Sequence, residues 1–108
     1  MTKSLDLKLE RLLEQYRAEL VPLIHKRVPG ATIYLFGSRA RKDYHEGADI
    51  DIAISAPEQK VVDIFVLGML ALDLEDTMVP VEVDFVDFNG ASEKFRQIVL
   101  REGIVWSK

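Results

Sequence analysis

The sequence predicts a small α/β (α+β) fold, a mixed sheet with helices packed against it. Three observations lead there. Short apolar, β-branched runs at residues 31–36, 49–54 and 81–88 alternate with longer stretches of helical periodicity. Each run is closed by a glycine or proline signal, at Gly37-Ser38, Ala56-Pro57 and Asn89-Gly90. The chain's 108 residues, 48% hydrophobic and 30% charged, suit one folded domain over residues 1–108.

Leu5, Leu9, Leu12, Leu13, Tyr16, Leu20, Leu23 and Ile24 recur at helical spacing. They predict a long amphipathic first helix, with Ser4 as its cap, Pro22 as a point where it kinks or splits, and Pro29-Gly30 as its end. Residues 31–36 form a first strand, residues 38–42 a helical turn directly after it, and residues 43–47 a polar loop. Residues 49–54 form the second strand. Val61, Ile64, Phe65, Leu67, Leu70, Ala71 and Leu74 predict a helix over residues 61–76 that packs on the sheet, and Gly68 within it suggests a close helix–sheet approach. Residues 81–88 form the third strand. Ser92 caps a last helix over residues 93–101, which Gly103 closes. Ile104-Val105-Trp106 is a short fourth strand or an extended tail.

Composition narrows the function. With no cysteine, a disulfide framework and a thiolate zinc site are both excluded. Two histidines, His25 and His45, argue against a histidine-built metal site. The N-terminal residues carry no basic-then-apolar leader, and no apolar run approaches the ~20 residues that span a bilayer. A cytoplasmic location without membrane contact is therefore expected. The net charge of -4 argues against extended nucleic acid as a ligand.

The chemistry concentrates in Gly37-Ser38-Arg39-Ala40-Arg41 and in Gly47-Ala48-Asp49-Ile50-Asp51-Ile52-Ala53-Ile54. Side chains alternate along a strand, so Asp49 and Asp51 point one way and the isoleucines the other. Two adjacent carboxylates repel each other unless a cation lies between them, and Mg²⁺ is the simple choice for hard oxygen ligands. Asp84, set among Val83, Phe85 and Val86, supplies a third carboxylate if its strand lies beside residues 49–54. Three carboxylates hold two divalent ions, the arrangement that activates an attacking oxygen and steadies a leaving pyrophosphate. Asp87 lies on the opposite strand face and is the weaker candidate, with strand register deciding between the two. Gly37 lets backbone approach a phosphate, Ser38 adds a hydroxyl, and Arg39, Arg41 and Lys42 offer charge to a triphosphate. His45, Tyr44 and Glu46 are expected to be solvated loop residues, His25 structural, and Phe95 and Trp106 core.

Together these segments resemble the signature of the nucleotidyltransferase β superfamily: Gly-Ser, a short spacer, Asp-x-Asp on the next strand, and a third Asp on a later one. The size is similar to that of the minimal nucleotidyltransferase (MNT) branch, and Val83-Asp84-Phe85-Val86-Asp87-Phe88 followed by Ser92-Glu93-Lys94-Phe95-Arg96 resembles that branch too. The resemblance implies two-metal transfer of AMP from ATP. Asp49, Asp51 and Asp84 would be the metal ligands and catalytic carboxylates, and Gly37, Ser38, Arg39 and Arg41 would meet the nucleotide. Ala48 stands where many members have serine. The branch also implies a helical HEPN partner, for which the chain would act as antitoxin by adding AMP to a hydroxyl, in a homo- or hetero-oligomer. Two other readings compete. One is a non-catalytic binding subunit that docks the partner on the first helix through Leu9, Leu13, Tyr16 and Leu20. The other is an aminoglycoside-type small-molecule transferase, for which the chain looks too short without help.

Overall fold

A computed structural model describes the backbone of residues 3–108 and the side chains from residue 6 onward, so the Ser4 side chain, the expected cap, lies outside what is described. Helix α1 (Lys3–Arg27) is followed by strand β1 (Thr32–Phe36), the short helix α2 (Ser38–Arg41) and strand β2 (Ile50–Ser55). Helix α3 (Ile64–Asp73), strand β3 (Val83–Asp87), helix α4 (Glu93–Glu102) and strand β4 (Ile104–Ser107) complete the chain.

The sheet order is β3-β2-β1-β4. β1 runs antiparallel to β2 and β4, whereas β2 and β3 are parallel, so the sheet is mixed as expected. Helices cover both faces. The even-numbered isoleucines Ile50, Ile52 and Ile54 join Ile33 and Leu35 in a fully buried layer under α1, through Leu20 and Ile24, and under α3, through Leu70. On the other face Tyr34, Phe36, Ala53 and Phe88 meet Phe95 and Val99 of α4. Tyr34 stacks on Phe88 at 5.1 Å, and Phe36 meets Phe95 edge-on at 5.2 Å. The extended segment Ile104–Ser107 resolves to a strand, with Trp106 buried.

Several expectations change in detail. Pro22 neither splits nor ends α1, because it sits at an exposed position of a helix otherwise anchored by buried Leu20 and Ile24. The face formed by Leu9, Tyr16 and Leu20 is buried against the rest of the molecule and is no free docking surface. α3 begins later than the apolar pattern suggests, since Asp63 caps it by accepting a 2.7 Å hydrogen bond from the Phe65 amide. Its last turn tightens into a 3₁₀ turn at Leu74–Asp76. Gly68 makes no close approach to the sheet: a side chain there would meet nothing within 4 Å. Gly103 follows α4 in extended backbone (φ -78°) rather than a left-handed cap. It is a glycine because a Cβ would run into the carbonyl oxygens of Val99 and Leu35. Ser92 caps α4 as expected, at 3.1 Å from the Phe95 amide.

Candidate active site

Both strands of the parallel pair begin at the same end of the sheet. Their register sets Asp51 directly opposite Asp84. Paired residues share a face, about 4.8 Å apart in the hydrogen-bonding direction. That face is the one α4 covers only in part: Asp84 is exposed and Asp51 half-buried. Asp49, expected as the first residue of the strand, stands immediately before β2 and is also exposed. Burial, then Asp84, then Asp49 push the Asp51 carboxyl above the usual carboxylate range, while Arg41 pulls it back. Asp84 and Asp49 thus both bear on Asp51. Asp87 is settled by the same register. Its carboxylate accepts from the amides of Val62 at 3.1 Å and Gly90 at 2.9 Å, which ties the ends of β3 and α3 together away from the acids.

Phe36 pairs with Asp51 across β1 and β2, so the chain leaves β1 at Gly37 beside that carboxylate. Gly37 has φ 75° and ψ -156°, a conformation essentially reserved for glycine. A Cβ there would land on Asp51 Oδ2 and stand 3.1 Å from its Cγ. The glycine is therefore required twice, by its backbone and by the acid it faces. α2 opens at Ser38, with the first helical amides that have no partner inside a helix. Ser38, His45, Gly47, Ala48, Asp49 and Asp51 line an open cavity of about 350 Å³.

Arg39 does not occupy the place expected of it. It is 2% exposed, the one buried charged side chain among the described residues. Its Nε and Nη2 donate to the Ala48 carbonyl at 3.1 and 2.8 Å, and Nη2 also donates to Glu46 O at 3.2 Å. Its guanidinium lies 4.8 Å from the Tyr44 ring centroid. The loop ahead of Asp49 is wrapped around this side chain, and Arg39 meets loop backbone where a phosphate was expected. Arg41 remains at the surface, 3.2 Å from Asp43 and 3.7 Å from Glu102. His45, expected to be merely solvated, forms part of the cavity wall. A signal for the Arg39 clamp did exist in the aromatic Tyr44 close by in sequence, but an arginine after Gly-Ser reads equally well as a phosphate ligand.

Hard-oxygen donors of this kind suit Mg²⁺, and a divalent ion would relieve the repulsion that raises Asp51. The residues fit the ion in kind, and two of them, Asp51 and Asp84, are neighbours in register. Among the described residues, however, no three histidine or acidic side chains come close enough to hold a metal, so the expected convergence of Asp49, Asp51 and Asp84 is not seen: Asp51 and Asp84 face each other in register while Asp49 lies ahead of the strand.

Comparison with known proteins gives a consistent result. Residues 19–107 match the family described as polymerase beta, nucleotidyltransferase. The probable protein adenylyltransferase MntA of Haemophilus influenzae is 30% identical over 102 residues, covering 94% of this chain and 83% of that protein. A crystal structure of a toxin–antitoxin with AMP-PNP superposes with a TM-score of 0.72 at 30% identity, covering 84% of this chain and 72% of that one. A tri-AMPylated Shewanella oneidensis HEPN toxin in complex with MNT antitoxin gives 0.68 at 28% identity, covering 87% and 71%.

Proposed function

Since this chain belongs to the polymerase β nucleotidyltransferase family, we propose that it transfers AMP from ATP to a hydroxyl of a HEPN partner protein and so acts as an antitoxin. Asp51 opposite Asp84, on an open sheet face beside Gly37, is the observation that carries the reading. The relatives supply the substrate class: one is named a protein adenylyltransferase, and others are seen with AMP-PNP or with an AMPylated HEPN toxin.

In the reaction, the acceptor oxygen attacks the α-phosphorus in line. A new P–O bond forms, the bond to the bridging oxygen breaks, and its electron pair leaves with pyrophosphate. Asp49, Asp51 and Asp84 would hold Mg²⁺, which when bound offsets phosphate charge and favours the ionised acceptor. Asp84, the more exposed of the facing pair, would take the acceptor proton. Gly37 lets the chain pass the phosphates closely, and Ser38 offers a hydroxyl and the start of α2. Arg41 is the cation left at the surface near Asp51. Arg39 holds the loop that carries Asp49.

The test is label transfer from α-³²P-ATP to a purified HEPN partner with Mg²⁺. Asp51→Asn and Asp84→Asn are expected to remove Mg²⁺-dependent labelling while leaving the fold intact by circular dichroism. Undiminished labelling by Asp51→Asn refutes the assignment. If neutralisation of the partner survives without labelling, the chain is a non-catalytic binding subunit.

A further inference from the structure

Helix α3 has two unlike sides. Leu70 is fully buried and Val66 and Leu67 pack against the core. On the other side Ile64 is 78% exposed, Phe65 80%, Leu72 62% and Met69 43%. Between them Gly68 faces open space, with nothing within 4 Å of a Cβ placed there. These positions, i, i+1, i+4, i+5 and i+8, form one stripe along the helix. A solvated helix face normally carries charge, yet residues 64–72 contain no polar side chain at all. Contiguous exposed apolar surface of this kind marks an interaction site. Gly68 sharpens the point. Glycine is among the poorest helix formers, and this one serves no contact inside the molecule. It leaves a notch between Ile64 and Leu72 into which a ridge of another helix can seat.

Charge identifies the occupant. Between Lys60 and Lys94 there is no Lys, Arg or His; of the acids in that span Asp84 lies on the reverse face, Asp87 is tied to the Val62 and Gly90 amides and Asp73 pairs with Arg27, while Asp63, Glu75 and Asp76 edge the stripe. Asp63 lies at one end of the stripe and Glu75 and Asp76 beyond the other, all exposed. A second copy related by a two-fold axis would bring acid to acid at both ends. An anionic membrane surface would be repelled as well. We propose that the outer face of α3 docks a helix of the partner protein, one with an apolar ridge edged by lysine or arginine. The proposal rests on the reading that the chain works on a separate helical protein, and it says where that protein is held. α3 packs on the face of the sheet under Ile50 and Ile52, the reverse of the face that bears Asp51. Holding the partner and modifying it are thereby separated, and the carboxylates stay open when α3 is covered.

The experiment measures partner affinity by calorimetry for the full chain and for Gly68→Leu and the double variant Phe65→Ser/Leu72→Ser, with thermal melts of each. Filling the notch is expected to hold or raise the melting temperature, since the leucine gains helix propensity and clashes with nothing. It should still weaken partner binding about tenfold or more. The serine pair should weaken it similarly, and the parent's affinity should fall as salt rises. Affinity unchanged in both variants, with the parent still labelling its partner, overturns the docking surface and leaves the reaction standing. A parent that self-associates until Gly68→Leu makes it a monomer overturns it in favour of a second copy. A parent that neither binds nor labels the partner removes the reaction and this surface together. Binding by Asp51→Asn without labelling supports both.

Discussion

Replacing Arg39 separates two roles that its position after Gly37-Ser38 suggests. As a phosphate ligand its loss would raise the KM for ATP and leave stability alone. As a clamp its loss would do the reverse. The side chain makes three N–H···O contacts to two carbonyls, at 2.8, 3.1 and 3.2 Å, in a site 2% exposed. Hydrogen bonds to a charged group contribute about 1.5–3 kcal/mol each. Taking the two carbonyls as two such bonds, and allowing for the cost of keeping a guanidinium out of water, gives a net loss of about 2–4 kcal/mol for Arg39→Met. For a domain this size that corresponds to roughly 10–25 °C in melting temperature. Arg39→Lys keeps the charge but not the planar fork, and should recover less than half of the loss. Below the melting point the KM for ATP should stay within about twofold of the parent, while kcat falls because displacing Asp49 by even ~1 Å misplaces a reacting group. Scanning calorimetry and steady-state AMP transfer measure the two quantities. A Met variant that melts with the parent and has a tenfold higher KM for ATP refutes the clamp.

Gly37→Ala places a methyl on the Asp51 carboxylate and forces alanine to φ 75°. A loss of about 1–3 kcal/mol and of Mg²⁺-dependent nucleotide binding is expected in denaturant melts and equilibrium dialysis, and Asp51→Ala in the same chain should relieve part of the stability cost. Asp51 is held above its ordinary range by burial, Asp84 and Asp49. The native state therefore binds the extra proton, and metal-free stability should fall as pH rises from about 4 through the raised value. Asp51→Asn should consequently be more thermostable than the parent at pH 7 without Mg²⁺, equal to it near pH 3, and indifferent to added Mg²⁺. Asp73 runs the other way: its hydrogen bonds from Arg27, at 2.6 and 2.9 Å, lower its carboxyl, so stability from this pair is present at neutral pH and lost on acidification. Asp63→Ala, which removes the α3 cap, should cost about 0.5–2 kcal/mol in a urea melt.

Much of this was legible in the chain itself. Period-two patterning at Ile50, Ile52 and Ile54 and helical spacing from Leu9 to Ile24 announced the layers, because each buries one face. Asp49, Asp51 and Asp84 stood out because carboxylates inside apolar strands need a reason. What stayed hidden depends on contacts distant in sequence. The register that seats Asp84 beside Asp51, and not Asp87, is a property of the β2–β3 pair. Arg39 could not be told from a phosphate ligand until the carbonyls of Glu46 and Ala48 were seen around it. The outward turn of Ile64, Phe65 and Leu72 was invisible as well, since an apolar helix reads the same whether its second side meets a sheet or nothing in its own chain.

β3 is an outer strand, bonded to β2 on one side only. Asp84 is therefore held by a single ladder, whereas Asp51 sits on a strand gripped from both sides. Outer strands open first in hydrogen exchange. Amides around Asp84 should exchange ahead of those around Asp51 in a native-state hydrogen-exchange experiment. Of the two facing acids, Asp84 is thus the one that loses its place first if the sheet frays from this edge.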